Sequence, residues 1–177
     1  MQGVERYKVK LLSYDDAWEK EFLAVKEQIE SIWTDNVLDV QHFGSTAIRG
    51  IPAKPILDVA VVLKSFARMD IEAMRRAGYD YCGPQKPDND RYLYVLRGDN
   101  QISLRHIHCY EPDNEDFFRC IGFRDYLNCH PETAAKYAEL KLNLAEQYPD
   151  DRTAYTDGKH DFVQSVYAKL KETLLIY

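Results

Sequence analysis

Apolar residues recur along this chain with two periods. Trp18, Phe22, Val25, Ile29 and Ile32 follow at alternating steps of about four and three, the signature of a helix with one buried face. Ser13 and Asp16 stand ahead of them as N-terminal caps. Lys8 to Leu12 is expected as a short edge strand and Val37 to Phe43 as a longer one. Ile56 to Leu63 is almost wholly apolar, which predicts a central strand covered on both faces. Phe66 to Ala77 reads as a helix stopped by Gly78, and Tyr79 to Cys82 as the start of a short strand. Gly83 to Asp90 is polar, carries two prolines and reads as a loop. Arg91 to Arg97 and Gln101 to Tyr110, parted by Gly98-Asp99-Asn100, predict a β-hairpin. Beyond Glu115 the period becomes helical, in Phe117 to Cys129, Pro131 to Gln147 and Asp157 to Leu175. Pro131 suits a first helical turn, and Pro149 follows a helix end. The order α-β-β-α-β-β-β-α-α-α predicts an α+β fold, a mixed sheet packed by helices with a helical C-terminal part. One domain over residues 1–177 is expected, with an α/β core at 1–112 and the helical part at 113–177.

Polar residues that interrupt this pattern mark candidate chemistry. Asp58 breaks the apolar run between Ile56-Leu57 and Val59 to Leu63. A lone carboxylate in such a strand is costly unless it is paired or binds a metal. Upstream, Gly44 allows close backbone approach to a ligand, Ser45 and Thr46 offer hydroxyls and N–H groups, and Lys54 offers a compact cation. These are phosphate-binding residue types. His106 and His108 are two apart, so they share one face of an extended strand. They can be read as metal ligands, as acid-base or phosphate contacts, or as polar residues on a half-exposed sheet; Glu111 follows them. Arg91 and Arg105 could fork onto phosphate or lie on the surface. His42 is open between a structural and a catalytic role. The Trp18 to Trp33 stripe and the tyrosines read as core. Asp58 could also be a buried partner of Arg91 or Arg105.

The run Phe43-Gly44-Ser45, followed by a loop and Asp58-Val59, resembles the polymerase β-like nucleotidyltransferase superfamily. That pattern places Asp-apolar-Asp on the strand, and Ala60 stands here in place of the second acid. Gly-Ser-Thr-Ala, Gly50, Lys54-Pro55 and Asp58 are similar to the GrpB-like family, a branch of that superfamily. His106-x-His108, Phe123 to Leu127 with His130-Pro131, Tyr137, Lys141, Tyr155-Thr156 and Lys159 continue the resemblance. It implies a nucleotidyltransferase-like fold and transfer of a nucleotidyl group from an NTP, or a related phosphorylated small molecule, to a small acceptor. Asp58, His106 and His108 would be the catalytic and metal-binding residues. Gly44, Ser45, Thr46, Lys54, Arg91 and Lys159 would bind phosphate. The divalent metal would be Mg or Mn for a transferase, with Zn possible through the histidine pair. Two alternatives stay open: a non-catalytic nucleotide or anion binder, and a metal-dependent phosphohydrolase using Asp58, His106 and His108.

Charge and composition narrow the partners. A net charge of −6 argues against general nucleic-acid binding, though a local basic pocket around Arg49, Lys54, Arg91 and Arg105 is compatible with it. The four cysteines, Cys82, Cys109, Cys120 and Cys129, show no Cys-x-x-Cys spacing and are expected as reduced thiols. The N-terminus has no signal-peptide core, and no apolar run approaches the roughly 20 residues of a membrane span. A cytoplasmic location is therefore expected, with no membrane partner.

Overall fold

The apolar run ending at Leu63 forms β2 (Leu57–Leu63). In the computed structural model, which describes residues 2–5, 7–85 and 91–174, this strand is flanked on both edges. β1 (Val37–Phe43) pairs antiparallel with it, and β5 (Ser103–Tyr110) pairs parallel. β4 (Tyr92–Arg97) joins β5 as the expected antiparallel hairpin, and β3 (Tyr79–Pro84) closes the far edge. The five-stranded mixed sheet runs β1-β2-β5-β4-β3.

β2 is apolar on both faces because both are covered. Leu57, Val59, Val61 and Leu63 pack with Val25, Ile29 and Trp33 of α1 (Ala17–Trp33) and with Met74 of α2 (Ile71–Arg76). On the opposite face Ala60 and Val62 pack with Tyr110 and with Phe117 of α3 (Glu115–Cys129). α4 (Pro131–Gln147) and α6 (His160–Leu174) complete the helical part, and Phe123, Leu127, Tyr137 and Phe162 pack there against Ile48 and Ile51. Asp58 shares the face of Ala60 and Val62 at the strand's entrance. Register thus places one carboxylate at the rim of a covered sheet face.

Three expectations change. Lys8 to Leu12 forms no strand. Val9 donates its N–H to the Pro149 carbonyl, Leu12 makes an isolated bridge with Ala53, and Val4, ahead of the segment, bridges to Ser103. The helix expected over Phe66 to Ala77 is broken by two successive caps. Ser65 caps a single turn at Phe66–Arg68, and the Asp70 carboxylate accepts from Ala73 N–H to start α2. The last helix starts three residues later than expected, at His160, and a further short helix precedes it. Asp151 accepts from the N–H groups of Thr153 and Ala154 and opens α5 (Arg152–Asp157), while α6 begins after the Gly158 turn. Most of the polar loop after Gly83 lies outside the described residues.

Candidate functional site

Parallel pairing of β2 with β5 sets Asp58 opposite His106 and Ala60 opposite His108. The Asp58 carboxylate accepts from His106 Nδ1 at 3.1 Å, and His108 Nε2 lies 3.7 Å away. Burial alone would raise the Asp58 carboxyl, but the two imidazoles hold it well below the usual carboxylate range. Burial lowers the His108 pKa, so that ring is neutral at neutral pH. The geometry is that of an ionised carboxylate held between the imidazoles of His106 and His108.

The loop between β1 and β2 shapes this corner. Gly44 has φ 71° and ψ −170°, a region open essentially to glycine. A Cβ there would lie 2.5 Å from Asp58 Oδ2, so the missing side chain makes room for the carboxylate. Asn128 clamps the following turn: its amide donates to the Ala47 carbonyl, and its oxygen accepts from Arg49 N–H. Ser45 points into the cleft, beside the Tyr137 phenol, which burial raises to about 12.

The corner opens into a cleft of about 320 Å³ lined also by Lys54, Arg152, Tyr155, Thr156 and Lys159. The Lys54 and Lys159 ammonium groups lie 4.3 and 4.4 Å from the centre of the Tyr155 ring. Burial lowers the Lys54 pKa to about 8, aided by the charges of Lys159 and Arg152. Burial also lowers Lys159. Crowded cations at one end of a cleft and a carboxylate with imidazoles at the other suit an anionic ligand carrying a metal.

The cleft brings together Ser45, Lys54, Asp58, His106, His108 and Lys159, with Gly44 against Asp58. It does not bring in Thr46 or Arg91. Thr46 is buried, and its hydroxyl meets His42 Nε2 at 2.9 Å on the other side of β1. His42 stacks there on Phe22, and burial lowers its pKa to about 4, consistent with a structural role. Arg91 stands behind His108, next to Tyr110. Arg105 faces α1 instead and pairs with Glu21 at 3.0 Å. Glu111 accepts from Phe66 N–H, and Arg124 donates to the His42 carbonyl and Gln41. The expected basic pocket of Arg49, Lys54, Arg91 and Arg105 is thus dispersed, because these residues alternate between sheet faces and loops. Sequence reading missed Arg152. Its signal was the spacing Arg152, Tyr155-Thr156, Lys159, one helical stripe that reaches across the α5–α6 turn.

Lys141, beneath the cleft, is fully buried; it donates to the Pro52 carbonyl and lies 5.0 Å from the Tyr137 ring centre. Burial, then the charge of Lys159, lowers its pKa from 10.5 to about 7. The unfolded chain therefore binds the extra proton between about pH 7 and 10.5, and this group makes stability rise with pH across that window. The slope is at most about 1.4 kcal/mol per pH unit. Urea unfolding at stepped pH should show that rise, and Lys141→Met should flatten it; an unchanged slope in the variant would refute the assignment.

The described residues contain one His/Cys/Asp/Glu group that could hold a metal ion, Asp58 with His106 and His108, whose donor atoms lie within 4.8 Å of one another. One oxygen and two imidazole nitrogens suit Mn, Zn or Fe better than Mg. Three protein ligands facing a cleft leave coordination positions open. Among the described residues no helix is long and apolar enough to cross a membrane.

Comparison with known proteins agrees with this architecture. The family model described as GrpB protein matches residues 8–169. A glutamate-rich protein GrpB from Alkalihalophilus pseudofirmus is 36% identical over 170 residues, spanning 94% of this chain and 98% of the relative. The crystal structure of the conserved protein GrpB from Enterococcus faecalis is similar with a TM-score of 0.84 and 30% identity, covering 93% of this chain and 99% of that one. Cid1 poly(U) polymerase, solved with Mg 3'-dATP bound, is similar with a TM-score of 0.53 and 13% identity, over 82% of this chain and 49% of the polymerase. That last likeness shows a nucleotidyltransferase-like fold and no more.

Proposed function

The chain belongs to the GrpB family, on a nucleotidyltransferase-like fold, and from that premise we propose that its cleft binds a nucleoside triphosphate with a divalent metal and transfers the nucleotidyl group to a small-molecule acceptor. One observation carries this reading: a carboxylate with two imidazoles and a cluster of three cations line the same cleft. Asp58, His106 and His108 would hold the metal, which when bound supplies positive charge to a polyphosphate. Lys54, Lys159 and Arg152 bind and orient the phosphate chain, offsetting charge on the leaving pyrophosphate. Gly44 leaves space for the Asp58 carboxylate, and Ser45 offers a hydroxyl to a phosphate oxygen. The protein is proposed to act in the cytoplasm.

Ala60 favours a second reading. It is fully buried where the superfamily carries a second acid, so the usual paired-carboxylate site is incomplete. An open three-ligand site is also what a metal-dependent phosphohydrolase needs. Incubation with α-labelled NTPs, Mn²⁺ or Mg²⁺ and a pool of small hydroxylated or phosphorylated acceptors separates the readings. Label in a new adduct, with release of pyrophosphate, supports transfer. Hydrolysis without an acceptor supports the second reading. Binding without turnover leaves a nucleotide or anion binder.

The cation cluster predicts a pH dependence. Lys54 is charged below about pH 8 and loses its proton as pH rises through that value. Affinity for ATP, measured by calorimetry without metal, should fall about tenfold between pH 7.5 and 9. Lys54→Met should bind more weakly at pH 7.5 and lose most of this dependence. A fall that persists in the variant would place the titration elsewhere.

A further inference from the structure

α4 holds the loop between β1 and β2 at two points one helical turn apart. Tyr137 and Lys141 are four apart on this helix and share a face. Lys141 donates to the Pro52 carbonyl, and the Tyr137 phenol hydrogen-bonds to the Ser45 hydroxyl in the turn after β1. The phenol ring is buried and held on several sides. Phe162 stacks on it with centroids 5.0 Å apart, Phe123 meets it edge-on at 5.4 Å, and Ile48 and Ile51 of the loop pack against it. Ser45, by contrast, is half-buried and lines the cleft with Asp58 and Lys159.

The two hydroxyls differ in what they can give. Each carries one proton and two lone pairs. Among the described residues the phenol's hydrogen-bond partner is Ser45. Burial keeps the phenol protonated at neutral pH, and a buried O–H left without an acceptor is costly. The phenol is therefore the donor and Ser45 Oγ the acceptor. We propose that Tyr137 is a positioning residue for the phosphate end of the ligand: by donating to Ser45 Oγ it fixes that hydroxyl and leaves the serine proton to point into the cleft, toward an anionic oxygen. A freely rotating serine could meet a ligand as donor or acceptor. One that already accepts from a fixed phenol turns its proton away from that phenol. Lys54, Lys159 and Arg152 also present protons to the cleft, so the four groups suit an oxygen that carries charge and no hydrogen. Polyphosphate oxygens meet that description. Tyr137 acts through Ser45, and its role toward a nucleotide rests on the functional reading above.

A double-mutant cycle of Tyr137→Phe and Ser45→Ala tests this with two readouts. The first is the Kd for ATP with Mn²⁺, by calorimetry. Tyr137→Phe keeps the ring and its packing and should weaken binding about fivefold, the net worth of one hydrogen bond. In the Ser45→Ala background the same change should cost nothing further, because the group it positions is gone. A merely structural tyrosine would cost the same in both backgrounds. That additivity, or no loss in the single variant, would overturn the proposal. The second readout is urea unfolding of the same four proteins without ligand. Tyr137→Phe should lower the midpoint in the parent. Beside Ser45→Ala it should leave the midpoint unchanged or raise it, since the phenol has already lost its acceptor. Equal shifts in both backgrounds would show that the two hydroxyls do not bond. Should the parent bind no ATP, the functional reading fails, and the unfolding cycle alone decides whether Tyr137 holds Ser45.

Discussion

Asp58→Asn is expected to weaken Mn²⁺ binding by at least about 100-fold while the melting temperature stays within a few degrees of the parent. Losing an outer-shell partner alone costs 10–100-fold in metal affinity, so losing a charged ligand should cost no less. The fold should tolerate the change for two reasons. Asparagine keeps an oxygen that can accept from His106 Nδ1, and burial keeps His108 neutral, so no full charge is stranded at that ring. Calorimetric Mn²⁺ titration and thermal unfolding read the two effects separately. Retained metal binding with a large fall in melting temperature would make Asp58 a structural ion-pair member instead.

Ala60→Asp, which restores the residue the wider superfamily carries, is expected to destabilise the protein by about 3 kcal/mol and to add no second metal site. The Ala60 side chain is fully buried with Val62, Tyr110 and Phe117, and Phe43 packs edge-on to His108 beside it. A carboxylate there would be desolvated among apolar groups with no room for hydration. For a chain of this size the loss corresponds to a fall in melting temperature of roughly 6–12 °C. Scanning calorimetry gives the stability, and Mn²⁺ titration gives the stoichiometry. A stable variant with two bound Mn²⁺ would mean that the apolar packing around residue 60 yields readily. The missing acid is thus tied to its surroundings: the helical part closes over the sheet face where a second metal would sit.

The sheet was legible because its signals are local. The apolar run to Leu63, the interrupting Asp58 and the alternation of His106 and His108 follow directly from strand periodicity. Register then brings Asp58 and the two histidines together, since β2 and β5 run parallel. What escaped was set by tertiary contact. Arg91 and Arg105 both read as phosphate ligands, yet one is directed behind His108 and the other toward α1. Thr46 follows Ser45 directly, but the tight turn after Gly44 sends the two side chains to opposite sides of β1. Lys8 to Leu12 has a strand's composition, but Val9 bonds to the Pro149 carbonyl and Leu12 to Ala53 in the loop before β2, so the segment joins no sheet edge. Arg152 joins the cleft only because the Asp151 cap starts a short helix that aims it there.

Melting of metal-stripped protein, across the four NTPs with and without Mn²⁺, Mg²⁺ and Zn²⁺, tests the central claim most directly. A ligand at 100 times its Kd adds about 2.7 kcal/mol, a shift that is easily read. The account predicts that NTP and metal together stabilise the protein more than either alone, and that this excess vanishes in Asp58→Asn. Equal stabilisation by metal alone, or none under any pairing, would contradict it.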